Sequence, residues 1–265
     1  MLKREKETLL VPLYSRALEN KKKNPIILDL KAEEILGNIE YDFSELKIPE
    51  KSALTLCVRA KKIDDYTRDF LNEYPEANVM HLGCGLDSRF QRVDNGKLRW
   101  FDLDYADVIG LRKRFYSESQ RYNMISSSVS DLKWIQSVGK NDQPSLVIAE
   151  GLFMYLEQED VKNLIGALQN EFHNCTLIFD AYSELTVKRI QKHPSLRKTG
   201  AEIFWGINDP KDIEKWFPGV RLVEEWYFTQ YEDMCNLSLD SRILFKIASL
   251  FQSAKRAHRI LYYSL

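Results

Sequence analysis

The sequence predicts an α/β fold, a mostly parallel sheet with helices on both faces. Three observations predict it. From about Asn78 onward, strand-like and helix-like segments alternate, the pattern that lays crossover helices over parallel strands. Ser145–Ala149 contains the unbroken apolar run Leu146-Val147-Ile148-Ala149, as a central strand buried on both faces requires. The apolar run Val79–Leu82 meets two glycines flanking one residue, Gly83-Cys84-Gly85, and such a turn lets backbone approach a ligand closely.

Residues 1–75 read as mainly helical, with no strand alternation. They form an expected appendage over one end of the sheet and a candidate lid, which leaves 76–265 as the α/β domain. Strands are expected at Val79–Leu82, Leu98–Leu103, Met124–Val129, Ser145–Ala149 and Thr176–Asp180. The clearest helices are Ala106–Ser119 and Glu157–Phe172. The latter places Val161, Leu164, Ile165 and Leu168 at i, i+3, i+4, i+7 spacing, one apolar face of a helix. Near the end, Arg221–Thr229 and His258–Leu265 look like strands separated by a helical segment around Leu239–Arg256. Such a pair suits an antiparallel addition at one sheet edge.

Composition narrows the function classes. The chain balances 38 basic against 39 acidic residues for a net charge of −1, so nothing calls for nucleic acid or an anionic membrane as partner. No stretch approaches the roughly 18 uncharged apolar residues of a membrane helix, and the N-terminus lacks a signal peptide's apolar core. Cys57, Cys84, Cys175 and Cys235 form no C-x-x-C pair, the usage of reduced thiols in a cytoplasmic protein. His81, His173, His193 and His258 do not cluster, and no metal is expected.

The candidate site grows from the glycine turn. The strand-like run after it ends in Asp102 and Asp104, and Gly85 to Asp104 is 19 residues, near the roughly 20 that separate such a turn from a ribose-binding acid. A dinucleotide turn reads G-x-G-x-x-G; here the last position is Ser88 and Asp87 lies inside the turn. A carboxylate there would repel a pyrophosphate. It suits a ligand carrying a cation, such as the ammonium and sulfonium of S-adenosylmethionine. Glu150 ends a very apolar strand, a costly place for a carboxylate unless it faces a polar cleft. From the residues alone, Arg59 reads as a surface ion pair, Asp131 as a helix cap and Tyr155 as core or site.

These segments resemble a known family. Leu10-Val11-Pro12-Leu13-Tyr14-Ser15-Arg16-Ala17, Val58-Arg59 through Ile63-Asp64-Asp65, the run His81 to Arg89, Trp100 to Asp104, and Ala149-Glu150-Gly151-Leu152-Phe153-Met154-Tyr155-Leu156 together resemble the leucine carboxyl methyltransferase superfamily of class I S-adenosylmethionine-dependent methyltransferases. The nearer match is its bacterial branch of tetracenomycin polyketide O-methyltransferase type. The resemblance implies a Rossmann-like fold with a seven-stranded sheet whose last strand is antiparallel. It implies that Gly83, Cys84 and Gly85 pass beneath the methionine part of the cofactor, that Asp104 (with Asp102 the weaker candidate) binds the ribose, and that Asp131 and Leu132 frame the adenine. Arg59 would pair with the cofactor's carboxylate, Glu150 would lie near its amine and methyl group, and Tyr155 would shape the acceptor side. His81 departs from the acid many class I enzymes carry two residues before the first glycine.

The expected function is methyl transfer from S-adenosylmethionine to a carboxylate or hydroxyl oxygen of a small molecule, without a metal. The alternatives are a protein C-terminal carboxyl methyltransferase, a nicotinamide-dependent oxidoreductase, and a non-catalytic cofactor-binding module. No histidine or lysine falls in the motif after the fourth strand. A carboxylate acceptor needs no base, whereas a phenol would gain from one; for that case His193 is the candidate base.

Overall fold

The computed structural model describes residues 7–139, 142–191, 202–230, 242–243, 246–247 and 250–265. Three helices come first: α1 (Glu7–Glu19), α2 (Leu30–Gly37) and the long α3 (Glu50–Glu73). The alternating part follows as β1 (Asn78–Leu82), α4 (Arg89–Val93), β2 (Arg99–Asp104), α5 (Ala106–Arg112), β3 (Tyr122–Ser126), α6 (Ile135–Val138), β4 (Ser145–Ala149), α7 (Gln158–Glu171), β5 (Cys175–Tyr182) and α8 (Glu184–Gln191). β6 (Arg221–Tyr227), α9 (Gln252–Lys255) and β7 (His258–Ser264) end the chain.

One seven-stranded sheet has the order β3-β2-β1-β4-β5-β7-β6. Neighbours from β3 through β5 are parallel, and β7 runs antiparallel to both β5 and β6. The expected antiparallel last strand is therefore present, inserted between β5 and β6. The strand order reverses between β1 and β4, and in open α/β sheets the crevice at that switch point, beyond the strands' C-terminal ends, is where ligands bind.

Period-two alternation divides the core. Val79, Trp100, Ile148, Ile178 and Ile260 face one cluster, which also holds Leu10 and Leu13 of α1, Ile35 of α2 and Ile63 and Phe70 of α3. Met80, Phe101, Val147, Leu177, Phe179 and Leu261 face the other, with Val161, Leu164, Ile165 and Leu168 of α7. The first three helices thus share a core with one sheet face. His81, Asp102, Glu150 and Asp180 continue the face of Val79, Trp100, Ile148 and Ile178, so the strands' polar ends point toward α1–α3.

Some boundaries differ from expectation. The helix expected to reach Ser119 stops at Arg112. Three-residue bonds from Arg114 to Leu111 and from Phe115 to Arg112 tighten the chain, and the Tyr116 hydroxyl then donates to Leu86 O. The strand expected over Met124–Val129 is Tyr122–Ser126, because after Ser127 N bonds Asp104 O the chain turns, with Asp131 N donating to Ser128 O. Of the helical segment expected around Leu239–Arg256, much lies outside the described residues. Among those described, no helix is long and apolar enough to cross a membrane.

Gly166 of α7 faces Phe217, whose Cζ lies 2.7 Å from where a Cβ would stand. Gly166→Leu should therefore lower stability by about 1–3 kcal/mol through overpacking, read from urea denaturation; an unchanged midpoint would contradict this close contact.

Candidate functional site

Gly83 and Gly85 follow β1 with φ of 62° and 51°, the left-handed region that an L side chain rarely occupies. Cys84 N donates to Leu103 O. The Asp104 carboxylate is the turn's anchor, with Oδ2 accepting from Gly85 N at 2.8 Å and Oδ1 from Tyr105 N at 2.8 Å. Arg112 closes the turn from outside, donating to Gly85 O at 3.0 Å and to Asp102 Oδ2 at 2.5 Å. A cavity of about 720 Å³ opens above the turn. The lining includes Gly83, Cys84, Gly85, Asp87, Asp104, Arg59, Glu150 and Tyr155, which the sequence had put forward from four separate stretches of chain. Leu9, Val11, Pro12 and Arg16 of α1 line it from above.

Asp102 does not line this cavity. It lies one pleat deeper, fully buried, and is held by Arg112, by the Tyr122 hydroxyl at 2.5 Å and by Trp100 Nε1 at 2.8 Å. Burial would raise its pKa, but Arg112 and its hydrogen bonds outweigh that and lower it. Its carboxylate orients Arg112 and does not reach the cavity. Asp131 and Leu132 are likewise outside the lining, where that loop contributes Ser127 and Val129. Asp131 is exposed and caps a short 3-10 turn, Leu132–Trp134, by accepting from Lys133 N at 3.4 Å. The adenine role expected of this pair is not supported by the geometry. His193 lies outside the described residues.

Around the cavity floor runs a buried network of ions. Arg16 meets Asp29 at 2.7 Å and Asp87 at 3.5 Å. Arg92 meets Asp64 at 2.6 Å, Asp87 at 2.8 Å and Asp29 at 3.1 Å. Arg89 pairs with Asp64 at 2.7 Å, Asp87 at 3.4 Å and, in a very short contact, Glu150. Arg59 Nε donates to Glu150 at 2.8 Å and its Nη1 to Asp180 at 2.9 Å. His258 Nε2 lies 2.7 Å from the same Asp180 oxygen. Asp87 is therefore no free anion facing a ligand, since three guanidiniums surround it, and the argument that it alone repels a pyrophosphate does not hold. The network as a whole carries the charge: Arg16, Arg59, Arg89 and Arg92 oppose Asp29, Asp64, Asp87, Glu150 and Asp180, one anion in excess.

Burial would raise all five of these carboxyls, yet the guanidiniums outweigh it and hold each below its ordinary value. Asp104 differs. Burial raises its pKa, against the opposing amides of Gly85 and Tyr105. Burial also pushes the Tyr182 hydroxyl up to about 12 and raises that of Tyr155; both tyrosines line the cavity. Among the described residues, no group of three or more His, Cys, Asp or Glu side chains is placed to hold a metal ion.

Sequence reasoning missed Asp180, Tyr182, His258, Arg16 and Arg89. Asp180 carries a signal of the same kind as Glu150, an acid directly after the apolar run Leu177-Ile178-Phe179. Nothing local distinguishes an interior arginine from a surface one.

Residues 10–169 match the leucine carboxyl methyltransferase family model. The chain is 40% identical over 221 residues to the tetracenomycin polyketide synthesis O-methyltransferase TcmP of Streptomyces glaucescens, covering 83% of this chain and 82% of that protein. It is 29% identical over 273 residues to the S-adenosyl-L-methionine-dependent methyltransferase dpfgK of Gibberella zeae, covering 94% and 91%. The N-methyltransferase NodS from Bradyrhizobium japonicum, in complex with S-adenosyl-L-homocysteine, has the same fold, with a TM-score of 0.51 at 12% identity over 89% of this chain and 98% of that one. The chain belongs to the leucine carboxyl methyltransferase family and is an S-adenosylmethionine-dependent methyltransferase.

The pKa directions fix how the site responds to acid. The five network carboxyls are depressed, so their stabilisation is present above the unfolded values of about 4 and is lost as pH falls through the folded ones. Asp104, which is raised, and His258, which is lowered, act in opposite senses at milder pH: acidification stabilises through the first and destabilises through the second. Stability measured by urea denaturation should therefore change little from about pH 7 to 5 and drop steeply below about pH 4. A loss of most of the stability already by pH 5 would contradict the ionised network.

Proposed function

We propose, with that family membership as the premise, that the chain methylates an oxygen of a small organic acceptor, a carboxylate or an acidic hydroxyl. The observation that carries this reading is one cavity joining the glycine turn and Asp104 to an apolar wall of Leu56, Met154, Tyr155, Tyr182, Ile190 and Ile203. Its volume, about 720 Å³, suits a small-molecule site, which typically spans about 300–1,000 Å³. The O-methyltransferase name of the Streptomyces relative supports oxygen as the acceptor atom.

The residues present fit S-adenosylmethionine. A Cβ on Gly85 would stand 3.2 Å from Leu9 Cδ2, and one on Gly83 2.9 Å from Leu152 Cδ1, so side chains there would fill the cradle. Each Asp104 oxygen accepts one backbone N–H, which leaves lone pairs for the ribose hydroxyls. Arg59 has Nε and Nη1 committed to Glu150 and Asp180; its Nη2, beside Gly151, is left to meet the methionine carboxylate. Glu150 and the excess negative charge of the network favour the ammonium end. Tyr105, Val108, Ser127 and Val129 also line the cavity, with Tyr105 and Ser127 bonded to Asp104, and take the adenine.

When bound, S-adenosylmethionine supplies an electrophilic methyl carbon on a cationic sulfur. The protein's part is alignment and exclusion of water. The helices α1–α3 act as the lid, with Leu9, Val11 and Pro12 of α1 closing the cavity from above. Tyr155 and Tyr182, tyrosines protonated at neutral pH with hydroxyl pKa values raised further, donate hydrogen bonds toward the acceptor oxygen. Among the described residues the lining contains no lysine, and its histidine, His81, lies 3.3 Å from Arg89 Nη1 and 3.4 Å from Asp102. An acceptor that is already ionised at neutral pH fits this better than an ordinary phenol.

Two measurements test the reading. Gly85→Val puts a branched side chain into a left-handed turn beneath the ligand; calorimetry with S-adenosylhomocysteine should show binding weakened about tenfold or more. A folded variant with wild-type affinity would remove the glycine turn from the site. For the reaction itself, transfer of labelled methyl should be assayed across small aromatic and aliphatic carboxylic acids, acidic phenols and peptides with free C-termini. Turnover is expected with small acids or acidic phenols, at rates nearly flat from about pH 6 to 8; turnover confined to peptides would overturn the small-acceptor reading.

A further inference from the structure

His258 opens β7, beside the site but outside the cavity lining. It pairs in register with Tyr182 of β5, and its ring is stacked between Tyr182, centroids 4.3 Å apart, and Phe228, 4.5 Å apart. Its Nε2 points to Asp180 Oδ2 at 2.7 Å. Asp180 is fully buried and has two other donors, Arg59 Nη1 at 2.9 Å and Gly151 N at 2.5 Å. The groups facing the imidazole are therefore Asp180 and Tyr182 from β5, Arg59 from α3, Glu150 at the end of β4 and the ring of Phe228.

A carboxylate oxygen offers only lone pairs, so the contact is attractive only if Nε2 bears the hydrogen. Burial lowers the pKa of the imidazolium, and Asp180 offsets this only in part. The neutral Nε2–H tautomer follows. The strand register shows why a third donor matters. Ala149 pairs with Phe179, so Glu150 and Asp180, one residue further on, are two carboxylates side by side on parallel strands. Arg59 bridges them and points Nη2 at Gly151. The bridge keeps one direction only if both carboxylates keep theirs. Arg89 holds Glu150; His258 is the corresponding side chain for Asp180.

We propose that His258 is a positioning residue of this methyltransferase: its Nε2–H fixes Asp180, and through it Arg59 and the Gly151 amide at the cofactor end, while its ring fixes Tyr182 as the wall at the acceptor end. The inference rests on the cofactor site proposed above.

The test separates donor from ring. His258→Phe keeps the stacked ring and loses the donor; His258→Gln keeps an N–H within reach of Asp180 and loses the ring. Calorimetry with S-adenosylhomocysteine should show about a tenfold loss for His258→Phe and recovery to within about threefold of wild type for His258→Gln, the pattern of a hydrogen bond to a charged group. In the wild-type protein, long-range proton–nitrogen NMR of the imidazole should show the neutral Nε2–H tautomer, with a resonance that moves on adding S-adenosylhomocysteine although the ring does not line the cavity. Wild-type affinity in His258→Phe, or equal losses in both variants, overturns the proposal. Should His258→Phe fail to fold, the wild-type spectrum decides: an Nδ1–H tautomer, or a resonance indifferent to the ligand, overturns it as well. Absence of S-adenosylhomocysteine binding by the wild-type protein would instead remove the cofactor site on which the inference rests.

Discussion

The structure depends on a buried network of guanidiniums and carboxylates that joins parts of the chain far apart in sequence. Arg16 comes from α1, Asp29 caps α2, Arg59 and Asp64 come from α3, Asp87, Arg89 and Arg92 follow the glycine turn, Glu150 directly follows β4 and Asp180 lies near the C-terminal end of β5. Withdrawing such groups from water costs several kcal/mol per ion, and mutual attraction offsets this only when geometry and hydrogen bonding are nearly complete. Here they are: Asp29, for example, accepts from Arg16, Arg92, the Ser88 hydroxyl and its own helix's Ala32 amide. Removing any one guanidinium leaves uncompensated buried carboxylates, typically a loss of about 3–5 kcal/mol. The network is thus less a source of net stability than a constraint. It admits one placement of α1–α3 against the strand ends.

That placement makes the site. The side of the sheet covered by α1–α3 is the side on which His81, Asp102, Glu150 and Asp180 emerge, so the helices that complete the core also roof the switch point of the sheet. Leu9 and Pro12 reach over the glycine turn while Arg16, on the same helix, is fixed to Asp29 and Asp87. A helix anchored in this way is set by electrostatics at one end and apolar contact at the other. Its excess of one carboxylate also gives the enclosed space a negative bias, which a cation relieves. Preorganised charge of this kind costs no reorganisation when a ligand arrives.

What was legible in the sequence follows from which features are local. Strand alternation, the α7 stripe and the glycine turn are properties of neighbouring residues, and they placed the sheet, its antiparallel last strand and the turn correctly. Gly83, Gly85, Asp104 and Glu150 lie at strand ends, where backbone geometry alone puts them at the crevice, and they line the cavity. Asp102 was the weaker candidate beside Asp104 because it stands two positions earlier on the same strand face; only the burial of Arg112 and Tyr122 against it shows that it serves the turn from behind. Asp131 and Leu132 lie outside the lining because β3 ends at Ser126 and its loop turns away. Arg16, Arg89 and Arg92 were invisible as site residues. An arginine in an amphipathic helix has the pattern of a solvated one, and the partners in this network lie up to 121 positions apart, as Arg59 and Asp180 do.

Arginine rather than lysine at these positions has a geometric reason, clearest at Arg59. Glu150 and Asp180 project from adjacent parallel strands one residue beyond the paired Ala149 and Phe179, a placement in which like charges oppose each other across the sheet. A bridging cation must touch both and still offer a donor to the cavity. The planar guanidinium does this with three nitrogens: Nε to Glu150, Nη1 to Asp180 and Nη2 beside Gly151. An ammonium concentrates its charge at one atom and lacks the fixed fork, so it would satisfy one carboxylate at the expense of the other or of the ligand. The same argument covers Arg89, which spans Asp64 through Nε and Glu150 through Nη2. The paired acids at the ends of β4 and β5 are tolerated because planar cations are available to bridge them, and those cations are oriented because the acids on either side are themselves held.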